Sequence, residues 1–268
     1  MSQELIKVRN GLAKVSSDLK RGQFISAVTA MREGARVFGR VAMIKNEQEE
    51  VVNLLQAACD HLRYNKDIAA LFPLTITYVP GQEQALLEVL NQLQEVLEEA
   101  HLEEAKERHK VYQAAQLAKG HTELEQGEIP EARRTLGQLS EEYAQEAELL
   151  LNVGEEFMQA NLFDDAAKYL NLAHALVPDD THILNRLGIA KRRLKQFEES
   201  EAAYLRALEL EKDNANLYFN IGRLYLDWER WEKAAYYANF ALQYAPDFAE
   251  AAKMVTYAEK KHKAVATK

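Results

Sequence analysis

The sequence predicts an all-α fold, in which helical hairpins stack into an α-solenoid behind a more irregular helical N-terminal part. Three observations carry this. Glycine recurs inside helical hydrophobic patterns at Gly154, Gly188 and Gly222, 34 residues apart. An aromatic and then a small residue keep the same interval, at Phe163, Phe197 and Trp231 and at Ala166, Ser200 and Ala234. Finally, 268 residues contain only 11 glycines and 5 prolines, which leaves little material for turns and favours long helices with short connections.

Taken in order, residues 3–38 read as a helical hairpin that bends at LKRGQFISAV. Gly22, Phe24 and Ala27 there hold the same relative places as Gly127, Ile129 and Ala132 further on, as a diverged repeat would. NEQEEVVNLLQAACDHLRYN follows as an amphipathic helix, with Cys59 on its apolar stripe. LFPLTITYVPG breaks the pattern with two prolines and a β-branched run, and reads as a linker. From Gln82 a long helix runs to about Ala118, with Leu86, Leu90, Leu93, Leu97 and Ala100 spaced four and three apart in a heptad-like seam.

Gly120, Ile129, Ala132, Leu136 and Leu139 mark a degenerate unit at 113–146, followed by clear units at 147–180, 181–214 and 215–248. Each clear unit carries two short apolar stripes, and neither helix can bury its stripe alone. Glycine inside a helix costs about 1 kcal/mol relative to alanine. It is retained, on this reading, because the first helix must approach the second backbone to backbone. Residues 249–268 supply a capping helix over the last unit and a frayed KAVATK tail.

This pattern resembles the tetratricopeptide repeat (TPR), a 34-residue helix–turn–helix unit. The resemblance divides the chain into an N-terminal helical region (1–75), a linker with the long helix (76–112), a repeat array (113–248) and the cap (249–268). It implies packing roles for Gly154, Ala166, Gly188, Ser200, Gly222 and Ala234.

Composition narrows the function classes. The net charge of −9 is unevenly spread: residues 1–45 hold nine Lys/Arg against three Asp/Glu, and 46–146 hold eight against twenty. A single cysteine can form neither an internal disulfide nor a thiolate cage, and no apolar run reaches membrane-spanning length. A cytoplasmic location is expected. No phosphate loop, HExxH, CxxC or GxSxG is present, and the seven histidines show no metal-ligand spacing. No catalytic residue, metal or cofactor is implied, and the chain reads as a non-enzyme.

In the resembled family, first helices line a concave face and present particular positions to a partner. Carried onto this chain, those positions hold Leu151, Asn152, Glu155 and Met158. The next unit contributes His182, Asn185, Arg186, Ile189, Arg192 and Arg193, and the last Asn216, Phe219, Asn220, Arg223 and Leu226. The resemblance therefore implies a protein or peptide partner, one with acidic groups facing Arg186, Arg192 and Arg223. The carboxylate clamp of chaperone-binding members needs lysine and asparagine where this chain has Leu151 and Glu155, or Asn185 and Ile189 one unit later with Asn220 alone fitting, and that departure speaks against a chaperone-tail ligand. A second reading is a homo-oligomer joined through the leucine seam. A third is an anionic surface or nucleic acid held by Lys7, Arg9, Lys14, Lys20, Arg21, Arg32, Arg36 and Arg40. Aromatics for base stacking are scarce there (Phe24 and Phe38), which disfavours nucleic acid.

Overall fold

A computed structural model describes residues 3–73 and 75–266. The chain forms two compact units, Met1–His109 and Lys110–Lys268. Its helices are α1 (Gln3–Lys20), α2 (Phe24–Phe38), α3 (Lys45–Arg63), α4 (Lys66–Leu71), α5 (Glu83–Glu125), α6 (Ile129–Glu142) and α7 (Ala147–Gln159). They continue with α8 (Phe163–Leu176), α9 (Thr181–Arg193), α10 (Phe197–Leu210), α11 (Ala215–Asp227), α12 (Trp231–Tyr244) and α13 (Ala249–Ala266). No strand occurs among the described residues.

In the first unit, α1, α2 and α3 pack one apolar stripe each around Val15, Val28, Met31, Leu55 and Leu62. Leu86, Leu90, Leu93 and Leu97 of α5 belong to the same core, each 3% exposed or less. The leucine seam is thus consumed within the chain and does not offer a surface for self-association. The short α4 was not foreseen. It starts because Asn65 Oδ1 accepts from the backbone N–H groups of Asp67 and Ile68 at 3.1 and 3.0 Å.

The expected linker is also corrected. Between α4 and α5 the described residues are not helical, and from Thr75 to Val79 exposed and buried side chains alternate, so that Ile76 and Tyr78, with Phe72 before them, enter the core. Tyr78 meets Phe38 edge to face at 6.3 Å, and its hydroxyl donates to Glu83 Oε1 at 2.8 Å. The proline and β-branched run is therefore a strap packed onto the unit, although Leu74 lies outside the described residues. Cys59 is buried, and desolvation followed by the charge of Asp60 pushes its thiol up to about 12.

In the second unit, hairpins α5–α6, α7–α8, α9–α10 and α11–α12 repeat one plan. The first partner is the C-terminal part of α5, which runs on to Glu125 rather than ending near Ala118. Each hairpin turns through one residue in the left-handed region: Gly127 (φ 78°), Asn161 (60°), Lys195 (60°) and Glu229 (58°). After it, an N–H reaches back across the turn, as in Leu162 N–H to Phe157 O and Arg230 N–H to Tyr225 O, both 2.8 Å. The α1–α2 bend has the same form, with Gly22 at φ 73° and Gln23 N–H donating to Asp18 O at 2.8 Å. At the other end α13 covers α12 through Ala251, Met254 and Ala258, and stays helical to Ala266 where a frayed KAVATK was expected. Thr267 and Lys268 lie outside the described residues.

Candidate protein-interaction site

The interior of each hairpin decides what its first helix can present outward. Gly154, Gly188 and Gly222 are buried, as are Ala166, Ser200 and Ala234 opposite them. A methyl group added at Gly154 would lie 2.8 Å from Leu170 Cγ and 3.4 Å from the carbonyl of Ala166, so the two helices approach at backbone distance. At Gly188 it would meet the Tyr204 ring at 2.6 Å. The hydroxyl of Ser200 donates to the Gly188 carbonyl at 2.7 Å, which accounts for serine where the other units carry alanine. In the last unit that slot is the small Ala238, and Met254 of α13 fills the space beside Gly222.

With those stripes turned inward, the opposite faces of α5, α7, α9 and α11 are joined laterally by side chains from successive units. His121 Nδ1 lies 2.7 Å from Glu156 Oε2. Arg186 Nε donates to Glu155 Oε1 at 2.5 Å, and His182 Nε2 stands 3.6 Å from the same oxygen. Asn220 donates to Asn185 Oδ1 at 2.9 Å, and Arg192 Nη1 to Asp227 Oδ2 at 2.5 Å. The ladder links first helix to first helix across three unit boundaries.

The residues expected at the groove divide accordingly. Asn185, Arg186, Asn220 and Glu155 lie on the laterally joined face, half-buried and paired with one another. Asn152 and Met158 are half-buried on α7, whereas Leu151 is in the core and is not presented. Ile189 and Leu226 are half-buried against the core around Tyr204 and Tyr225. Phe219 packs on Phe248 at 4.6 Å between ring centroids, and the Arg223 guanidinium stands 5.9 Å above Phe219. Arg223 is exposed and forms no ion pair among the described residues. Its pKa is lowered, first by desolvation and then by the like charge of Arg192.

Arg192 differs from what was expected of it. It is 5% exposed and holds Asp227, so it joins α9 to α11 rather than standing open to a ligand. The signal was available, since the same slot holds Met158 and Leu226 in the flanking units and is therefore a packing slot. Asp227 and the polar tip of Tyr204 carried no such signal, because their slots are otherwise filled by Gln159 and Arg193, and by Leu170 and Ala238. In the basic hairpin, Arg9 pairs with Glu50, Arg36 with Glu33 at 3.3 Å, and Arg32 bonds to Gln94. That set is partly neutralised within the chain. Among the described residues, no group of three His, Cys, Asp or Glu side chains could hold a metal ion. No helix among the described residues is long and apolar enough to cross a membrane.

Family models of the tetratricopeptide repeat match residues 117–181, 181–214 and 203–236. The matches fall on the units from the end of α5 into α12. Similar solved structures include a MamA protein, 20% identical with a TM-score of 0.49 over 56% of this chain and 82% of that one. A MamA of AMB-1 is 18% identical with a TM-score of 0.45, over 57% and 84% of the two chains. The TPR domain of Arabidopsis OM64 is 19% identical with a TM-score of 0.41, over 42% and 94%. No curated protein matches the chain.

Proposed function

This chain is a tetratricopeptide-repeat protein, and from that premise we propose a non-enzymatic scaffold that holds a segment of a partner protein across α7, α9 and α11. The observation that supports it most is the lateral ladder. It brings groups from successive units into one surface: the Asn185–Asn220 amides, the Phe219 ring and the exposed Arg223. Asparagine side chains can bond an extended backbone on both its donor and acceptor edges. An exposed arginine beside an aromatic ring favours an acidic or planar group on the partner. Glu155 and Arg186 neutralise each other, so they set the register of the face and add little net charge to it. A cytoplasmic site of action belongs to the same reading, supported by a single, buried cysteine.

The test is direct. A displayed peptide library is panned on the full-length chain, and the selected peptides are titrated calorimetrically against wild type, Asn185→Ala/Asn220→Ala and Arg223→Glu. Each variant is expected to weaken binding about tenfold or more, as removal of central interface residues does. Equal affinity for all three proteins would take this face out of the mechanism.

A further inference from the structure

Among the described residues of the second unit, four buried side-chain atoms lack a hydrogen-bond partner, and two of them, Arg192 Nε and the Tyr204 hydroxyl, belong to side chains close enough for the guanidinium to act on the phenol. Arg192 is 5% exposed and Tyr204 0%. Leaving a buried donor unsatisfied carries its full desolvation cost, and native structures seldom do so without a reason. The slot occupied by Tyr204 holds leucine at Leu136 and Leu170 in the preceding units, each packed against the corresponding glycine. Those leucines fill the space and end in methyl groups. Tyr204 fills it and carries a hydroxyl beyond, past Gly188 to where Arg192 of α9 and Arg223 and Asp227 of α11 stand near it.

The charges there do not balance. Arg192, Arg193 and Arg223 stand close enough for the first two to act on Arg223 as like charges, with the Asp227 carboxylate among them. Asp227 takes Arg192 Nη1 and leaves Nε and the phenol without an acceptor. Burial pushes the Tyr204 hydroxyl up to about 12, so it remains a neutral O–H donor through the physiological range. A guanidinium with a free edge, a fixed phenolic donor and an exposed arginine outside them together ask for an acceptor bearing negative charge.

We infer that this is an oxyanion site: Arg223 meets a phosphate or carboxylate group of the partner segment, and the group then accepts from Arg192 and Tyr204. Asp227, whose side chain is 47% exposed, is the internal carboxylate that holds Arg192 until then and gives way to the incoming anion. One acceptor replaces another on Arg192, so the desolvated guanidinium keeps an anionic partner before and after. The inference rests on the partner-binding reading of the α7–α9–α11 face and adds the chemistry of one subsite to it.

The experiment uses the full-length chain labelled with 15N at arginine, titrated at constant ionic strength with inorganic phosphate in one arm and acetate in the other. The readout is the arginine Nε–Hε resonances, with Arg192 and Arg223 assigned by substitution. Both are expected to shift saturably, and the arm that saturates at lower concentration identifies phosphate or carboxylate as the preferred group. Tyr204→Phe keeps the ring and the charge and is expected to weaken binding about fivefold, the worth of one buried donor. Arg223→Gln is expected to abolish saturation, and Asp227→Asn to tighten binding by removing the competitor. The inference fails if neither anion gives a saturable shift, or if Tyr204→Phe binds as wild type does. Saturable phosphate binding without affinity for any panned peptide would overturn the partner-face reading and leave the subsite standing. Peptide binding without a response to either anion would do the reverse.

Discussion

Gly188 and Tyr204 occupy what would be one side chain's space: a Cβ placed on the glycine would lie 2.6 Å from the tyrosine ring. A packed ring cannot retreat as the end of a flexible side chain can. Gly188→Ala is therefore expected to destabilise the second unit by about 1–3 kcal/mol despite alanine's better helix propensity. At Gly222 the obstacle is the Met254 sulfur at 2.7 Å, the movable part of an unbranched chain. Gly222→Ala is expected to cost less, to within about 1 kcal/mol of wild type. Urea unfolding of the two variants ranks them, and equal losses would contradict the packing account.

The Arg192–Asp227 pair allows a contrast in which removing less costs more. Asp227→Ala leaves a buried guanidinium without its carboxylate and is expected to destabilise by about 1–3 kcal/mol. Arg192→Met removes the buried charge and restores the residue type of Met158 in the same slot, and is expected to be neutral within about 1 kcal/mol. Chemical denaturation of both variants checks the order.

The hairpin turns store a small strain. Lys195 and Glu229 hold φ values of 60° and 58°, where Gly127 in the equivalent turn meets no steric penalty. Glu229→Gly and Lys195→Gly are each expected to stabilise by about 0.5–1 kcal/mol, the relief of left-handed strain less the added freedom of the unfolded chain. Gly127→Ala is expected to move the thermal midpoint in the opposite direction.

His121 makes the junction of α5 with α7 sensitive to pH. Its pKa is raised above 6.5, first by the hydrogen bond to Glu156, then by that residue's charge and by Glu125. A raised histidine stabilises the fold in its charged form. The contribution is full below the unfolded value and is lost as pH rises through the higher folded one. The difference in thermal midpoint between wild type and His121→Gln should therefore be widest on the acid side of 6.5 and close as the pH is raised. A difference independent of pH would mean that the histidine acts through packing alone.

Leu90 and Leu93 are completely buried in the first unit. Leu90→Ala is expected to cost about 2–5 kcal/mol, visible as early unfolding of that unit. Light scattering below the unfolding transition should show the same mass for wild type and variant. A change of mass with unchanged stability would return the seam to an intermolecular role.

Much of this protein was legible in its residues because the repeat period is a property of the chain itself. Glycine, aromatic and small residue every 34 positions specify which faces must meet, and the family matches fall on those residues. The hairpin at 3–38, the helix carrying Cys59 and the cap after Phe248 follow from local hydrophobic period in the same way. The leucines of α5 show where this stops. Their spacing states that something covers them, and it does not distinguish a second chain from α1–α3.

What the sequence determined by itself was the identity of the elements and the inward face of each, since helical period and close backbone approach act over a few residues. What only the tertiary structure decided was how polar side chains are shared between units. Arg192 became a buried tie to Asp227, Arg186 was neutralised by Glu155, and Arg223 stayed exposed beside Phe219. The strap at Phe72–Pro80 was decided there as well, by core space that α1–α5 left open around Ile76 and Tyr78. The physical reason is common to both. An ion pair or a filled gap depends on where two distant backbones stand to within an ångström, and no property of either segment alone contains that distance.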